Sequence, residues 1–311
     1  MQNSKKTIYI IGAGAIGKAL AVFLTQAGKK VVLLRGHVHG ITAHVEHIEV
    51  ELRDGQTAEA DIAVSSMDHY PHLDGILVIT TKSYGNPQIA SFLKGKTGNS
   101  PVVLLQNGLN VEAAFTSNAF PEIYRCVLFA SSQYTAELRL RFMPASVSPI
   151  GVVKGSLENL AAIIETLDNR QLVFKVEETI QPIIWTKAII NSVFNSICPL
   201  LETDNGIFYR NQDAQSIART IIDECIGVAA NEGILLDADQ VVKQLLLISK
   251  TSEGQLISTY QDLLHKRKTE IETLNITIAA IADQQHKKEL TRNTLLLGKL
   301  IQLKSAITMP A

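Results

Sequence analysis

The chain has 311 residues, 46% of them hydrophobic, which is enough to bury the cores of two folded domains. Its 29 basic and 30 acidic side chains nearly cancel and no Lys/Arg block is present, which argues against a nucleic-acid partner. The three cysteines, Cys126, Cys198 and Cys225, are widely spaced without a CxxC pair, which argues for a reducing compartment and against a disulfide framework or a zinc site.

The N-terminus lacks the features of a targeting segment. It enters an apolar strand within seven residues, without the apolar core and small-residue cleavage site of a signal peptide. No run reaches the roughly 18 consecutive apolar residues that a membrane-spanning helix requires. We therefore expect a soluble, cytoplasmic protein with no membrane partner.

The first predicted elements are a strand, a glycine turn, a helix and a second strand. Residues 7–11 form a β-branched apolar run, a helical pattern then extends to Gly28, and residues 31–34 form another buried strand. A GxGxxG sequence in this βαβ context is typical of dinucleotide binding, because its glycines allow a tight turn, close approach to the pyrophosphate and close helix packing. A glycine-rich turn without a ligand is the alternative. The predicted cofactor contacts in the turn are Gly12, Ala13, Gly14, Ala15, Ile16 and Gly17.

The residue that closes the second strand indicates which dinucleotide binds. NAD sites usually place Asp or Glu there, about 20 residues beyond the glycines, to bind the ribose 2′-hydroxyl. This chain has Arg35 at that position, and a guanidinium suits a 2′-phosphate. We therefore predict NADP rather than NAD, with a surface charge at a strand end as the alternative.

The next stretch carries four histidines and a predicted hairpin. The spacing of His37, His39, His44 and His47 matches no established metal motif, so we expect solvated loop and strand-face side chains and no metal site. Alternation over residues 48–64, around an Asp-Gly turn, predicts a hairpin at one edge of the sheet.

Strands then alternate with helices again. Residues 76–80 form a buried strand that ends in Thr-Lys-Ser, and residues 102–105 form another that ends in Gln-Asn-Gly. Side chains just past the carboxyl ends of strands in an open α/β sheet face the ligand crevice. We therefore predict that Lys82 and Asn107 lie where cofactor and substrate meet, although Asn-Gly is also a common turn.

The remaining pattern divides the chain in two. Further strands are predicted at residues 126–130, 134–142, 146–152 and 172–176, with a helix at 156–167. Beyond Thr179 every periodic segment is helical, at residues 181–197, 212–231, 237–249, 268–282 and 289–304. The pattern predicts an α/β fold, a Rossmann-type doubly wound sheet domain over residues 1–176, followed by an all-α domain over 177–311. Helices beyond residue 210 are apolar enough for a possible homodimer, or for a monomer's core.

The helix predicted at residues 181–197 carries a polar stripe. Lys187, Asn191 and Asn195 are spaced four residues apart, so at about 3.6 residues per turn they share one face. Asn is a poor helix former, which indicates that the two amides serve another purpose. A solvated face, or amides that tie two helices together, are the alternatives.

These motifs resemble the ketopantoate reductase family over nearly the whole chain. Besides the glycine turn and Lys82, the resemblance rests on Gln106-Asn107-Gly108, the helix Trp185-x-Lys187-x-x-x-Asn191-x-x-x-Asn195, Asp204-Asn205-Gly206, Ser258-Thr259-Tyr260-Gln261-Asp262, and Thr269-Glu270-Ile271-Glu272 with Asn275. Several separate motifs in the right order are more specific than any one of them.

The resemblance implies an NADPH-dependent reduction of 2-dehydropantoate to pantoate in pantothenate biosynthesis. It implies that Lys187 is the general acid and that Glu270 lies near Lys187 and the nicotinamide ribose. The implied substrate contacts are Asn107, Asn191, Asn195, Asn205 and Ser258. The implied cofactor contacts, besides the glycine turn, are Arg35 and Lys82 on the phosphate side, Ala136 at the nicotinamide end, and Asn107 and Glu270.

Local sequence leaves other interpretations open at two of these positions. Glu270 is also consistent with a surface charge beside Lys266 and Lys268, and Ser258 with a helix cap after Gly254.

The implied chemistry is coherent, because reduction of a 2-keto acid needs a hydride donor, a proton donor and hydrogen-bond donors to the carboxylate. A lysine enclosed between domains would have its pKa lowered by desolvation and raised by a neighbouring carboxylate.

Two positions depart from the family pattern. Tyr134 stands where histidine is common, and Ile276 where glycine usually follows the last asparagine. These departures leave the reaction type intact and put the substrate in doubt. The alternatives are therefore a reductase of another branched or bulky 2-oxo acid, and a non-catalytic NADP-binding sensor, although such a sensor would have no use for a proton donor.

Overall fold

The structure is a computed structural model that describes residues 6–36 and 39–308. The chain divides into two compact units. The sheet unit consists of Met1–Asn107 and Val111–Ile180, and the helical unit of Gly108–Asn110 and Gln181–Ala311. The predicted fold class is confirmed, since a parallel-rich α/β sheet is followed by a helical region.

The sheet unit is built on one sheet whose central strands are parallel. In the described ranges the sheet has eleven strands in the order β11-β10-β7-β6-β5-β1-β2-β4-β3-β9-β8. They are β1 (Thr7–Ile11), β2 (Val31–Arg35), β3 (His44–Glu51), β4 (Thr57–Ser66), β5 (Gly75–Ile79), β6 (Val102–Leu104), β7 (Ile123–Cys126), β8 (Ala130–Ala136), β9 (Arg139–Pro144), β10 (Ser148–Lys154) and β11 (Phe174–Val176). The helices of this unit are α1 (Ala15–Gln26), α2 (Asn86–Leu93), α3 (Ala113–Ser117) and α4 (Leu157–Leu167).

Both faces of the central strands are covered. Side chains alternate along β1, so Ile8 and Ile10 join a core with Leu20 of α1, while Ile11 joins a second core with Ile89 of α2. This burial on two faces explains why the parallel strands are almost continuously apolar in sequence. Because β1, β5 and β6 are parallel neighbours, their carboxyl ends lie at the same edge of the sheet.

The predicted hairpin is confirmed, but its position at the sheet edge is wrong. β3 and β4 pair antiparallel around the Asp-Gly turn, where Gly55 has a φ of +81°. β3 also pairs in parallel with β9, and β8 lies outside β9. This placement depends on a pairing between residues ninety positions apart in the chain, such as Glu49 and Arg139, which no local pattern reveals.

The single strand predicted at residues 134–142 is also wrong. It is the hairpin of β8 and β9, with its turn at Glu137 and Leu138. The polar and apolar alternation continues through this turn without Gly, Pro or Asn, so the sequence contains no turn signal. The strand predicted at residues 126–130 lies earlier, since β7 ends at Cys126.

The helical unit contains seven α-helices in the described part of the chain. They are α5 (Gln181–Leu200), α6 (Ile207–Arg210), α7 (Gln212–Asn231), α8 (Ala238–Thr251), α9 (Ser258–Leu264), α10 (Asn275–Gln284) and α11 (Arg292–Thr308). The short helices α6 and α9 were not predicted. The helix predicted at residues 268–282 is interrupted, because a 3-10 turn at Ile271–Thr273 ends at Leu274, whose φ of −113° and ψ of −108° are not helical.

Helix α5 is long and apolar enough, by length and composition, to cross a membrane, unlike the other helices in the described ranges. The sequence analysis did not identify α5 as such a segment, because it considered only uninterrupted runs of apolar residues and polar residues interrupt this helix. In the structure, 72% of the apolar window of α5 is buried inside the protein, and buried core helices meet the same criterion.

Candidate active site

The glycine turn after β1 is shaped by close backbone contacts. Gly12 has a φ of +129°, and a Cβ there would lie 2.6 Å from the Thr80 hydroxyl. A Cβ on Gly17 would collide with the Gly12 carbonyl oxygen. Gly14 differs, since a Cβ there would meet no described atom within 4 Å. Gly12 and Gly17 are therefore required by the fold itself, whereas the space beside Gly14 is open.

The open side of the turn fits an anionic ligand. Helix α1 begins at Ala15, and no described side chain caps its first backbone N–H groups. Uncapped N–H groups at a helix N-terminus favour a phosphate, and the helix dipole adds to this preference. The residues present therefore fit the pyrophosphate of a dinucleotide, which Gly14 allows to approach the backbone.

Two side chains of β8 contact the glycine turn, and the sequence did not predict these contacts. The Ser132 hydroxyl donates to the Ala15 carbonyl over 3.0 Å, and the Tyr134 hydroxyl donates to the Ala13 carbonyl over 3.2 Å. Tyr134, noted in the sequence only as a departure from the family pattern, therefore lies beside the predicted cofactor turn. Ala136 is farther along β8, exposed, where it pairs with Arg139 across a bulge.

The loops that carry Lys82 and Asn107 are joined by a buried pair of amides. Asn86 Nδ2 donates to Gln106 Oε1 over 2.8 Å, and Gln106 Nε2 donates back to Asn86 Oδ1 over 2.7 Å. Gln106 Nε2 also lies 2.8 Å from the Thr81 carbonyl oxygen. Because both amides are buried, this pair fixes the loop after β5 against the loop after β6. Lys82 is half-buried and Asn107 exposed.

Arg35 ends β2 and faces Glu46 of β3. Arg35 Nη2 is 3.4 Å from Glu46 Oε1, and the buried Nε of Arg35 has no hydrogen-bond partner among the described residues. Lys18 Nζ is 2.6 Å from Glu46 Oε2, and this ion pair is buried. Arg35 therefore has spare hydrogen-bonding capacity at the strand end where the sequence predicts a 2′-phosphate.

In the helical unit, the polar stripe of α5 is partly used for internal bonds. Lys187 and Asn191 are half-buried, whereas Asn195 is 2% exposed. Asn195 Oδ1 accepts hydrogen bonds from the Ser258 hydroxyl and the Thr259 backbone N–H, each over 3.1 Å. Asn195 thus ties α5 to the first turn of α9, as one of the sequence alternatives proposed. Ser258 is not the cap of α9, since Ile257 occupies that position.

Asn205 follows α5 in a loop fixed by backbone bonds. Its N–H donates to the Gln255 carbonyl over 2.9 Å, and its carbonyl accepts the Ser249 hydroxyl over 2.6 Å. Its side-chain Oδ1 is buried without a donor among the described residues. Beside it, the Arg210 guanidinium holds the pKa of Asp204 below its usual range through a 2.7 Å hydrogen bond. The unmet acceptor on Asn205 fits a ligand that carries a hydroxyl group.

Glu270 precedes the 3-10 turn at Ile271–Thr273. Its side chain is half-buried, and its carbonyl accepts hydrogen bonds from the N–H and the hydroxyl of Thr273, each over 3.1 Å. Thr273 also accepts the Leu109 N–H over 2.8 Å, and it lies so close to Gly108 that a Cβ there would not fit. The glycine of the predicted Asn-Gly turn is therefore fixed by packing within the helical unit.

Ile276, the second departure from the family pattern, packs against a glycine of α11. Ile276 lies in the first turn of α10, next to the fully buried Asn275. A Cβ on Gly298 of α11 would lie 2.8 Å from Asn275 Cβ and from Ile276 Cδ1. Glycine at position 298 therefore provides the space that the isoleucine occupies.

The described histidines and cysteines form no metal site. Within residues 6–36 and 39–308, no group of three or more His, Cys, Asp or Glu side chains is arranged to hold a metal ion. His37 lies outside the described residues, and His39, His44 and His47 are exposed. The three cysteines are free and buried, and burial raises the pKa of the Cys198 thiol to about 12.

Comparison with known proteins identifies one family over most of the chain. A family model described as Ketopantoate reductase PanE/ApbA matches residues 8–145, and one described as Ketopantoate reductase PanE/ApbA C terminal matches residues 179–304. A 2-dehydropantoate 2-reductase of Pyrococcus abyssi (strain GE5 / Orsay) is 28% identical over 303 residues, which cover 96% of this chain and 98% of the relative.

Solved structures share the fold. A ternary structure of D-mandelate dehydrogenase with NADH and anilino(oxo)acetate aligns with a TM-score of 0.84 at 23% identity, over 97% of this chain and 99% of the other. A dimeric ketopantoate reductase from Staphylococcus aureus aligns with a TM-score of 0.79 at 20% identity, over 97% and 99% of the two chains. At these identities the two likenesses establish the fold.

Proposed function

This chain belongs to the ketopantoate reductase family, and from that premise we propose that it reduces 2-dehydropantoate to pantoate with NADPH, a step of pantothenate biosynthesis. Family membership supports an oxidoreductase that acts on a CH–OH group. The observation that carries the finer proposal is the α5 stripe, where a half-buried Lys187 precedes Asn191 by one helical turn. The polar groups of this stripe match the needs of a 2-keto acid.

We propose that Lys187 is the general acid of the reaction. A bound nicotinamide would supply the hydride. As the C2 carbonyl carbon accepts this hydride, the carbonyl electron pair moves to oxygen, and the Lys187 ammonium gives that oxygen a proton. Lys187 is left neutral and regains its proton from solvent. Glu270 is the proposed partner that orients the lysine and keeps it charged before the reaction.

The proposed substrate contacts are amides and a hydroxyl. Asn107, Asn191 and Asn195 can donate to the carboxylate and keto oxygens. The Ser258 oxygen, whose hydrogen bonds Asn195, and the unpaired Oδ1 of Asn205 can each accept from the substrate hydroxyl. Asn195 and Ser258 already bond each other, so in this proposal they bind substrate as one pre-organised unit.

The proposed cofactor contacts follow from the sheet unit. The open backbone at Gly14 and the N-terminus of α1 are suited to the pyrophosphate, which residues 12–17 would hold. Arg35 and Lys82 would meet the phosphate side, Ala136 the nicotinamide end and Glu270 the nicotinamide ribose, while Asn107 would touch both cofactor and substrate. The preference for NADP over NAD rests on Arg35, whose Nε lacks an acceptor among the described residues.

A different 2-oxo acid is the second candidate substrate. Tyr134 and Ile276 depart from the family pattern, and Tyr134 lies against the glycine turn. The fold is also shared with a D-mandelate dehydrogenase, a structure that contains NADH. These observations favour testing aromatic 2-oxo acids and both cofactors. The third candidate is a non-catalytic NADP-binding sensor, and one turnover assay distinguishes it from the two reductases.

We also propose a homodimer formed through α11. Leu296, Leu300, Leu303 and Ile307 are exposed at the three- and four-residue spacing of a helix–helix seam. A relative with this fold is described as a dimeric ketopantoate reductase. Sedimentation of the wild type and of Leu300→Glu tests this, since the proposal requires a dimer that the variant weakens.

Turnover is tested by following NADPH absorbance with 2-dehydropantoate beside phenylglyoxylate and branched 2-oxo acids, and by repeating the series with NADH. Fastest turnover on 2-dehydropantoate supports the main proposal, and preference for another acid supports the second candidate. Binding of NADPH without its oxidation by any acid would indicate a sensor.

A further inference from the structure

Arg210, the last residue of α6, joins two loops of the helical unit. Its Nη2 donates to Asp204 Oδ1 in the loop after α5, and its Nη1 donates to Glu253 Oε1 in the loop after α8, each over 2.7 Å. The planar guanidinium can hold two carboxylates at once, which fixes the distance between them. We call Asp204, Arg210 and Glu253 the Arg210 clamp.

The Asp204 carboxylate extends the clamp to the backbone of both loops. Its Oδ1 also accepts the Gly206 N–H over 2.8 Å, and its Oδ2 accepts the Gly254 N–H over 3.1 Å. Gly206 is packed beneath the clamp, since a Cβ there would collide with the Arg210 guanidinium. The residues on either side of Asn205 are therefore both held in place by the clamp.

Asn205 has a fixed backbone and one unused acceptor. Its N–H donates to the Gln255 carbonyl over 2.9 Å, and its carbonyl accepts the Ser249 hydroxyl over 2.6 Å. The residue is only 6% exposed, and its side-chain Oδ1 receives no hydrogen bond from the described part of the chain. A buried acceptor is costly to leave unpaired, so this oxygen favours a ligand that brings a donor.

The loop after α8 also leads to Ser258, at the start of α9. The Ser258 hydroxyl donates to Asn195 Oδ1 over 3.1 Å, and its oxygen can still accept a hydrogen bond. Asn205 is thus bonded to the same segment that carries Ser258. The two proposed acceptors for the substrate hydroxyl lie on the two loops that the Arg210 clamp joins, so their separation depends on it.

We propose that Arg210 is a positioning residue that sets the separation of Asn205 and Ser258, and thereby the preference for a 2-oxo acid that carries a hydroxyl group. This inference rests on the proposed function and adds a residue that acts through the loops without touching the substrate. Proton transfer from Lys187 does not involve the substrate hydroxyl. Loss of Arg210 should therefore change KM for a hydroxylated acid and leave kcat unaltered.

The experiment compares two acids that differ by one group. Trimethylpyruvate has the carbon skeleton of 2-dehydropantoate without its hydroxyl group, so the ratio of kcat/KM for the two acids measures recognition of that group. In Arg210→Ala we expect this ratio to fall about tenfold, the equivalent of one hydrogen bond, through a raised KM for 2-dehydropantoate alone. Glu253→Ala retains the bond between Arg210 and Asp204, so it should lower the ratio by a smaller factor.

A matched control is available on α7. Arg219 also holds two carboxylates, those of Asp223 and Asp239, at a similarly exposed position, and Arg219→Ala should keep the wild-type ratio. Asn205→Ala should lower the ratio, and adding Arg210→Ala to it should have much less effect than in the wild type, because the two act together.

Folding of the variants is checked separately. The Arg210 and Glu253 side chains are 39% and 50% exposed, and ion pairs at such positions contribute little to stability. Thermal unfolding and NADPH titration should therefore match the wild type in both variants. If Arg210→Ala nevertheless fails to fold, the ratio in Glu253→Ala decides the inference.

The outcomes separate this inference from the proposed function. If the clamp variants lower kcat/KM for both acids by the same factor, or leave the ratio unchanged, the positioning role is overturned and the proposed function stands. If the wild type reduces trimethylpyruvate as well as 2-dehydropantoate, the hydroxyl is not recognised and the inference fails, although the chain is still a reductase. If the wild type reduces neither acid, the proposed function fails and the inference fails with it.

Discussion

The glycine turn of the sheet unit and the α5 stripe of the helical unit are specified in different ways. The turn is determined by backbone, since a Cβ on Gly12 or Gly17 would collide with neighbouring atoms. The stripe is determined by side chains, and one of its members, Asn195, bonds α9. Backbone constraints leave a glycine spacing that is recognisable in the sequence, whereas the spacing of Asn195 alone does not distinguish an amide that ties two helices together from one that binds a ligand.

The largest effect is expected at Lys187, the proposed proton donor. Lys187→Ala should lower kcat about 10²-fold or more, in the range that general acid catalysis contributes, while NADPH affinity stays unchanged. Steady-state oxidation of NADPH and a binding titration measure the two quantities. The matched control is Lys243→Ala, on an exposed position of α8. Near-normal turnover of the Lys187 variant would remove this residue from the mechanism.

The glycine turn offers a matched pair of substitutions. Gly17→Ala should lower the free energy of unfolding by about 2 kcal/mol or more, because its Cβ must displace the Gly12 carbonyl. Gly14→Ala should change stability by no more than about 0.5 kcal/mol, since it meets no described atom, yet it should weaken NADPH binding.

Denaturant unfolding and calorimetric binding distinguish the two glycine variants. Equal stability losses in both would show that the turn is not organised by the contacts described, and unchanged NADPH affinity in Gly14→Ala would argue against pyrophosphate at this backbone.

Asn195 should contribute to the stability of the fold as well as to its proposed role in substrate binding. Asn195→Ala removes the acceptor for the Thr259 N–H at the start of α9, so we expect a loss of about 1 to 3 kcal/mol in the free energy of unfolding. Ser258→Ala, which removes only a partner of Asn195, should cost less. Urea unfolding measures both. A stable Asn195→Ala variant with a raised KM would instead indicate a residue that serves substrate alone.

The smallest effect concerns acid stability. The pKa of Glu46 is lower in the folded protein than its unfolded value, so its contribution to stability is present above about pH 4.3 and is lost as pH falls through the folded pKa. Unfolding curves of the wild type and Glu46→Gln should therefore differ near neutral pH and converge in acid. A difference that persists unchanged at low pH would show that lost packing, and not charge, causes it.

The sequence predicted correctly those parts of the fold that depend on neighbouring residues. The order of β1, turn, α1 and β2, the hairpin of β3 and β4, and the bounds of α7 all follow from patterns within a short window. Pairings between distant segments did not follow, such as β3 with β9, or Asn195 with Thr259 across 64 residues. The break at Leu274 was missed for a related reason, because apolar periodicity continues through a non-helical backbone.

The candidate site shows the same division. The glycines and the ends of β5 and β6 could be placed from pattern alone, since strand ends are fixed by the sheet. Tyr134 and Ser132 could not be linked to the glycine turn, because β8 reaches it only through tertiary structure.

The paired amides of Asn86 and Gln106 also bear on chemical ageing. Reciprocal bonding requires an amide at both positions, and conversion of either to a carboxylate would set acceptor against acceptor. Asn86 is followed by Pro87, whose nitrogen has no hydrogen and cannot readily attack the side chain to begin deamidation. The Asn86 side of this pair is thereby protected from a slow covalent change that would separate the two loops.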